Sequence, residues 1–129
     1  MSIWTHVIGA VRFDGLPKIG LAYTVHNVAM LMEGKIRVEK TGLVLDNNKI
    51  PCGSEGPLQY KIYEHANGLP WITVAIWGDL RDYDDAVAIK KWFERVCSGW
   101  PLVRDGILRI QVEGQVAEVI EYREKETVA

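Results

Sequence analysis

Cysteine is scarce in this sequence. Its 129 residues hold only Cys52 and Cys97, which are far apart and form no CxxC pair. That argues against a disulfide scaffold or a zinc ribbon, and predicts free thiols in a reducing compartment. Long apolar runs are missing too: the longest, Val28 to Met32, falls far short of the ~20 residues a membrane helix needs. Neither sign of charge dominates, since 15 basic and 17 acidic side chains leave a formal net charge of −2. Nonspecific DNA binding draws on a basic footprint and counterion release, so a polybasic or histone-like role is disfavoured. Met1-Ser2-Ile3-Trp4-Thr5-His6 shows no basic segment leading into an apolar one, so no secretory signal is expected. Internal repeats and low-complexity segments are absent. These absences predict a soluble, cytoplasmic protein with no membrane partner.

What is present suits a globular chain: 48% apolar and 25% charged residues, both ordinary proportions. The length predicts one domain over 1–129, able to build a core without a metal or disulfide staple.

Ile3 to Phe13 alternates like a strand, with Ile3, Thr5, Val7, Gly9, Val11 and Phe13 on one face and Trp4, His6, Ile8, Ala10 and Arg12 on the other. Asp14-Gly15-Leu16-Pro17 reads as its closing turn. Tyr23 to Glu33 turns helical, with Val25, Val28, Ala29 and Met32 as a narrow apolar stripe, Thr24 as a cap and Gly34 at the end. Residues 35–57 form an insert of uncertain structure. Ile36 and Val38, then Leu43 to Leu45, hint at strands, with Asp46-Asn47-Asn48 as a turn between extended pieces. Pro51 to Pro57 reads as an ordered loop or a linker.

Leu58 to His65 and Trp71 to Gly78 alternate as two strands around an Asn67-Gly68 turn, a spacing that predicts a hairpin. Asp82 is expected to open a helix, with Asp85 three residues on as in a capping box and Gly99 as its stop. Ala86, Ile89, Phe93 and Val96 mark its buried stripe. Val103 to Val112 and Gln115 to Tyr122 read as strands joined at Glu113-Gly114, before a charged tail, Arg123 to Ala129, that is expected to fray. The order predicts an α+β fold: a ferredoxin-like βαββαβ core with an added strand, mostly antiparallel, with helices on one face. The alternative is an antiparallel sheet carrying one main helix.

Chemistry-bearing motifs are few. His6, His26 and His65 form neither HExxH nor a zinc-ligand spacing, and no metal or cofactor is expected. Asp79, Asp82, Asp84 and Asp85 resemble a magnesium-binding cluster, yet helix capping and dipole complementarity explain them without a metal, with Arg81 among them. The loop Gly53-Ser54-Glu55-Gly56 precedes a strand, whereas phosphate loops follow one and lead into a helix. Cys52 has no identifiable base. The aromatic positions say more. If Ile72, Val74 and Ile76 face the helices, then Trp71 and Trp77 look the other way. The candidate binding residues are therefore Trp71 and Trp77 with Lys61, Tyr63 and Arg109. An apolar sheet face left in water marks an interface, unless the 35–57 insert covers it.

Three stretches stand out together: Trp4-Thr5-His6-Val7 with Arg12-Phe13-Asp14, Pro51-Cys52-Gly53-Ser54-Glu55-Gly56-Pro57-Leu58-Gln59-Tyr60, and Ile76-Trp77-Gly78-Asp79-Leu80-Arg81-Asp82-Tyr83. As a set they resemble a group of small accessory proteins of tailed phages. The resemblance spans most of residues 2–122, apart from 18–48, and carries no catalytic residues with it. It implies a non-enzymatic binding protein of the host cytoplasm, acting in counter-defence by inhibiting a host protein complex or sequestering a signalling nucleotide. A homo-oligomer also fits. The rival expectations are a nucleic-acid-binding module stacking bases on Trp71 and Trp77, and a small metal-dependent phosphoesterase built on the aspartates.

Overall fold

A computed structural model of the chain describes residues 2–14, 25–39, 42–64, 71–99 and 103–123. Within them lie seven strands and two helices: β1 (Trp4–Asp14), α1 (Val25–Met32), β2 (Ile36–Glu39), β3 (Gly42–Leu45), β4 (Gln59–Glu64), β5 (Trp71–Arg81), α2 (Ala86–Ser98), β6 (Val103–Val112) and β7 (Glu118–Arg123). Five strands form one antiparallel sheet in the order β4-β5-β1-β6-β7, and β2 pairs with β3 as a separate hairpin. The protein is thus α+β with a mostly antiparallel sheet.

Period-two alternation sets the two faces of this sheet. One face carries Val7, Val11 and Phe13 of β1, Ile72, Val74, Ile76 and Leu80 of β5, and Leu108 and Ile110 of β6, all buried. Val28, Leu31 and Met32 of α1 and Ile89, Trp92, Phe93 and Val96 of α2 join the same buried cluster. Both helices therefore cover one face, since each has a single apolar stripe to hide. Thr5 is the buried polar side chain on that face, and its hydroxyl donates to the Tyr83 carbonyl. The other face of the sheet takes the alternate residues.

Several boundaries differ from the expectation. The second long helix begins at Ala86, with Asp85 as its N-cap: the Asp85 carboxylate accepts from the Ala88 amide at 3.0 Å. Asp82 stands outside the helix with φ +54, a conformation aspartate tolerates better than most residues. β5 runs on to Arg81 because β1 pairs with it along all eleven residues. β7 starts at Glu118, three residues later than its alternation suggested. In α1 the buried stripe holds Leu31, while Val25 is exposed.

The insert is a second, smaller layer. Asp46-Asn47-Asn48 lies after the β2–β3 hairpin and not between its strands. The Val38 amide donates to the Gly99 carbonyl at 2.8 Å, and Asn48 Nδ2 donates to the Trp92 carbonyl at 3.2 Å. Asp46, whose side chain is only 5% exposed, is gripped by Arg95 at 2.5 and 3.1 Å and by Arg37 at 3.3 Å. The Arg95 hydrogen bonds hold the Asp46 carboxyl below its ordinary value against an opposing push from burial. These contacts dock the hairpin on the helical side. It does not cover the tryptophan-bearing face. The turn residues Gly15-Leu16-Pro17, Thr24, the Asn67-Gly68 turn and residues 124–129 of the tail lie outside the described residues, whereas Arg123, expected to fray, ends β7.

Candidate functional site

The outer face of the sheet is built by residues of the other parity. Three cross-strand rows run its full width: Gln59, Trp77, Ile8, Arg109 and Val119; then Lys61, Ala75, Ala10, Ile107 and Glu121; then Tyr63, Thr73, Arg12, Asp105 and Arg123. Each row takes one residue from every strand. Ile8 is 60% exposed, Val119 58%, Ile107 46% and Trp77 39%. The centre of the face is apolar, with two alanines as its floor, and charge stands around it.

The polar groups on this face are arranged as follows. Lys61 Nζ lies 5.2 Å from the centre of the Tyr63 ring, within the range of a cation–π contact. Arg109 Nη2 donates to Gln111 Oε1 at 3.1 Å. Arg12 and Asp105 approach to 3.9 Å. An open depression of about 300 Å³ sits over Ala10, rimmed by Arg12, Thr73, Asp105, Glu121 and Arg123. At the far end His6 Nδ1 meets Asp79 Oδ1 at 2.5 Å, both side chains being well exposed.

All five sequence candidates belong to this face, but they do not form one cluster. Trp77, Lys61 and Arg109 stand within two adjacent rows, with Tyr63 in the third. Trp71 is six residues from Trp77 on β5, about 20 Å along the strand, and is half-buried at the Asp14 end. The two indoles are therefore separate features and not a pair. Ile8, Ile107, Val119 and Glu121 were not singled out from the sequence. Their signal was there: in β1 and β6 apolar residues occur at both parities, so some of them had to look away from the helices.

Of the four aspartates singled out as a cation cluster, three are dispersed among structural tasks. Asp79 holds His6, Asp82 accepts from Ser54 Oγ at 2.9 Å, and Asp85 caps α2. Among the described residues no group of three or more His, Cys, Asp or Glu side chains is placed to hold a metal ion. The His6–Asp79 pair has the form of an oriented base, but no hydrogen bond joins His6 to a hydroxyl or thiol among the described residues. Loop 51–58 closes on itself through the Cys52–Pro57 bridge and Gly53 N to Gly56 O at 3.1 Å. It is tied to β5 by Ser54 N to Arg81 O at 2.9 Å and by the Glu55–Arg81 ion pair. Cys52 is exposed, its Sγ against the Gly53 carbonyl; Cys97 is buried, and burial pushes its thiol up to about 12.

No protein-family model, curated protein or solved structure matches this chain.

Proposed function

We propose that this protein acts by binding and not by catalysis, and that it binds a protein surface with the outer face of its sheet. The observation that carries this reading is the uncovered apolar centre, Ile8, Trp77, Ile107 and Val119, on a sheet whose other face already packs two helices. Contiguous apolar surface of this kind marks an interaction site. A centre of aromatic and aliphatic groups rimmed by Lys61, Arg109, Arg12 and Glu121 has the anatomy of a protein interface: apolar within, polar at the edge. Three of the four aspartates weighed for hydrolysis, Asp79, Asp82 and Asp85, have structural partners instead.

The proposal extends to fold and setting. With the β2–β3 hairpin counted as an insertion, β1, α1, β4, β5, α2 and β6 follow the order of a βαββαβ core, and the strand order β4-β5-β1-β6 suits a ferredoxin-like arrangement with β7 added at one edge. The resemblance to phage accessory proteins supplies the biological reading: a counter-defence protein of the host cytoplasm that occupies a surface of a host protein complex.

The rival that an observation favours is base stacking on Trp77 beside Lys61 and Arg109. Glu121 in the Lys61 row, and Asp105 in the row beyond it, oppose a phosphate backbone there. The two readings part in one experiment. Immobilised wild-type protein and Ile8→Glu and Trp77→Glu variants are exposed to host extract, and Trp emission is followed during titration with single-stranded oligonucleotide. Binding to a protein surface predicts a polypeptide retained by the wild type and lost from both variants, with unchanged emission. Equal retention by all three defeats the proposal, and salt-sensitive quenching moves the assignment to nucleic acid.

A further inference from the structure

The same face carries a pattern that selects its occupant. We infer that it pairs with the identical face of a second copy of this chain, about a two-fold axis parallel to the central strand β1. The inference rests on the reading of this face as a docking surface: in the free protein a second copy occupies it, and a host surface binds by displacing that copy.

The strand order makes such a pairing complete. β1 is third of five strands, so rotation about an axis running along it lays β5 over β6 and β4 over β7 of the second copy. No strand overhangs. The rotation leaves heights along the strands unchanged, so each cross-strand row meets its own copy in reverse.

Row by row, the reversal places unlike groups together. In the row Lys61, Ala75, Ala10, Ile107, Glu121, each Lys61 stands over Glu121 of the second copy, at both ends of the interface. Ala75 faces Ile107 of the second copy, a small residue opposite a large one, and Ala10 meets Ala10 on the axis. In the row Gln59, Trp77, Ile8, Arg109, Val119, the Trp77 ring lies opposite Arg109 of the second copy, a guanidinium–indole contact made twice. Ile8 meets Ile8 at the centre. The third row is the weak end: Arg12 meets Arg12 near the axis, each beside its own Asp105. Packed sheets cross at about 30°, which offsets facing residues two strands from the axis by ~5 Å at a strand spacing of ~4.8 Å. Lysine and glutamate side chains span that offset.

Charge at the edges also disfavours the other simple arrangement. A two-fold axis in the face but perpendicular to the strands, through the middle row, would put Lys61 over Lys61 and Glu121 over Glu121. Like charges directly opposed disfavour it, and complementary ones fix the register. In area the pairing is adequate. Five strands at ~4.8 Å and three rows at ~6.8 Å give about 500 Å² on each copy, near the ~1,000 Å² total expected of a specific interface.

Sedimentation equilibrium of the full chain over a wide concentration range tests the inference. The wild type is expected at twice the chain mass at high concentration. Lys61→Glu and Glu121→Lys should each weaken the dimer about tenfold or more, because each reversal is felt twice per dimer. The double variant should regain most of the loss, and Ile8→Glu should be monomeric. Circular dichroism of each variant is the check on folding, and the wild-type spectrum is expected for all of them. A wild type that stays monomeric, a dimer untouched by Ile8→Glu, or single reversals not rescued by the double variant each overturns the inference. The docking reading fails separately, through equal retention of a host polypeptide by wild type and face variants.

Discussion

Replacing Gly34 with alanine should be among the most damaging single-methyl changes available in this chain. Gly34 ends α1: its amide donates to the Leu31 carbonyl at 3.0 Å and the Lys35 amide to Met30 at 2.9 Å, the paired bonds of a Schellman cap. Its φ is +72, which costs a residue bearing a Cβ about 1–2 kcal/mol. The added carbon would also lie 1.6 Å from the Asn48 carbonyl oxygen, an impossible approach. The strand leaving the hairpin must then move, losing the 3.0 Å bond from the Asn48 amide to the Gly34 carbonyl, worth about 1 kcal/mol. Adding about 1–2 kcal/mol of packing strain, the total is about 3–5 kcal/mol. At ~3–5 °C per kcal/mol for a domain of this size, the unfolding midpoint should fall by roughly 10–20 °C. Gly114→Ala is the internal control. Its φ is +80 but nothing lies within 4 Å of the added carbon, so only the backbone cost of about 1–2 kcal/mol applies. Urea unfolding followed by far-ultraviolet circular dichroism gives both values. Equal losses for the two variants would refute the reasoning, since they would mean the hairpin is not pressed against the end of α1.

Two further outcomes follow from titration and burial. Asp46 is held below its ordinary 3.8 chiefly by Arg95. A depressed folded pKa stabilises above the unfolded value and loses that contribution as pH falls through the folded one. The stability gap between wild type and Asp46→Asn should therefore be full at neutral pH and shrink steadily below about pH 3.8, as read by urea unfolding at several pH values; a gap independent of pH defeats the assignment. For the cysteines, a thiol-specific chromogenic disulfide at pH 8 should titrate Cys52 in the folded protein and Cys97 only after denaturant, because burial holds the Cys97 thiol at about 12. Prompt reaction of two thiols in the native state would contradict its enclosure.

The sheet was legible because its strands alternate and a period of two leaves little freedom. Ile72, Val74 and Ile76 could face only one way together, whereas alternation limits the register of β1 with β5 only to steps of two residues. The start of α2 was misplaced because Asp82, Asp84 and Asp85 offer the same capping chemistry. What decides among them is tertiary: β1 pairs with β5 as far as Arg81, so the chain cannot turn helical sooner. The insert was opaque for a related reason. Its four-residue strands are too short for periodicity to speak, and what fixes the hairpin is Asp46 between Arg37 and Arg95, a contact across 49 residues. No local pattern announces such a contact.

The outer face was half legible, and the missing half is what matters for function. Alternation says that Trp77 and Ile8 point away from the helices; it cannot say whether another segment returns to cover them. Chain direction settles that: the hairpin leaves α1 at Gly34, on the helical side of the sheet, and is tied there by Gly99 and Trp92. A few hundred Å² of apolar surface is then left to water, at ~25 cal/mol per Å² a standing cost of several kcal/mol. The rows on this face are not a random mixture of the residues strands tolerate. Lysine sits at one edge of the middle row and glutamate at the other, alanines lie at its centre, and tryptophan and arginine stand symmetrically about β1 in the next row. A face meant only for solvent has no need of that order, whereas a face that must meet its own reversed image does.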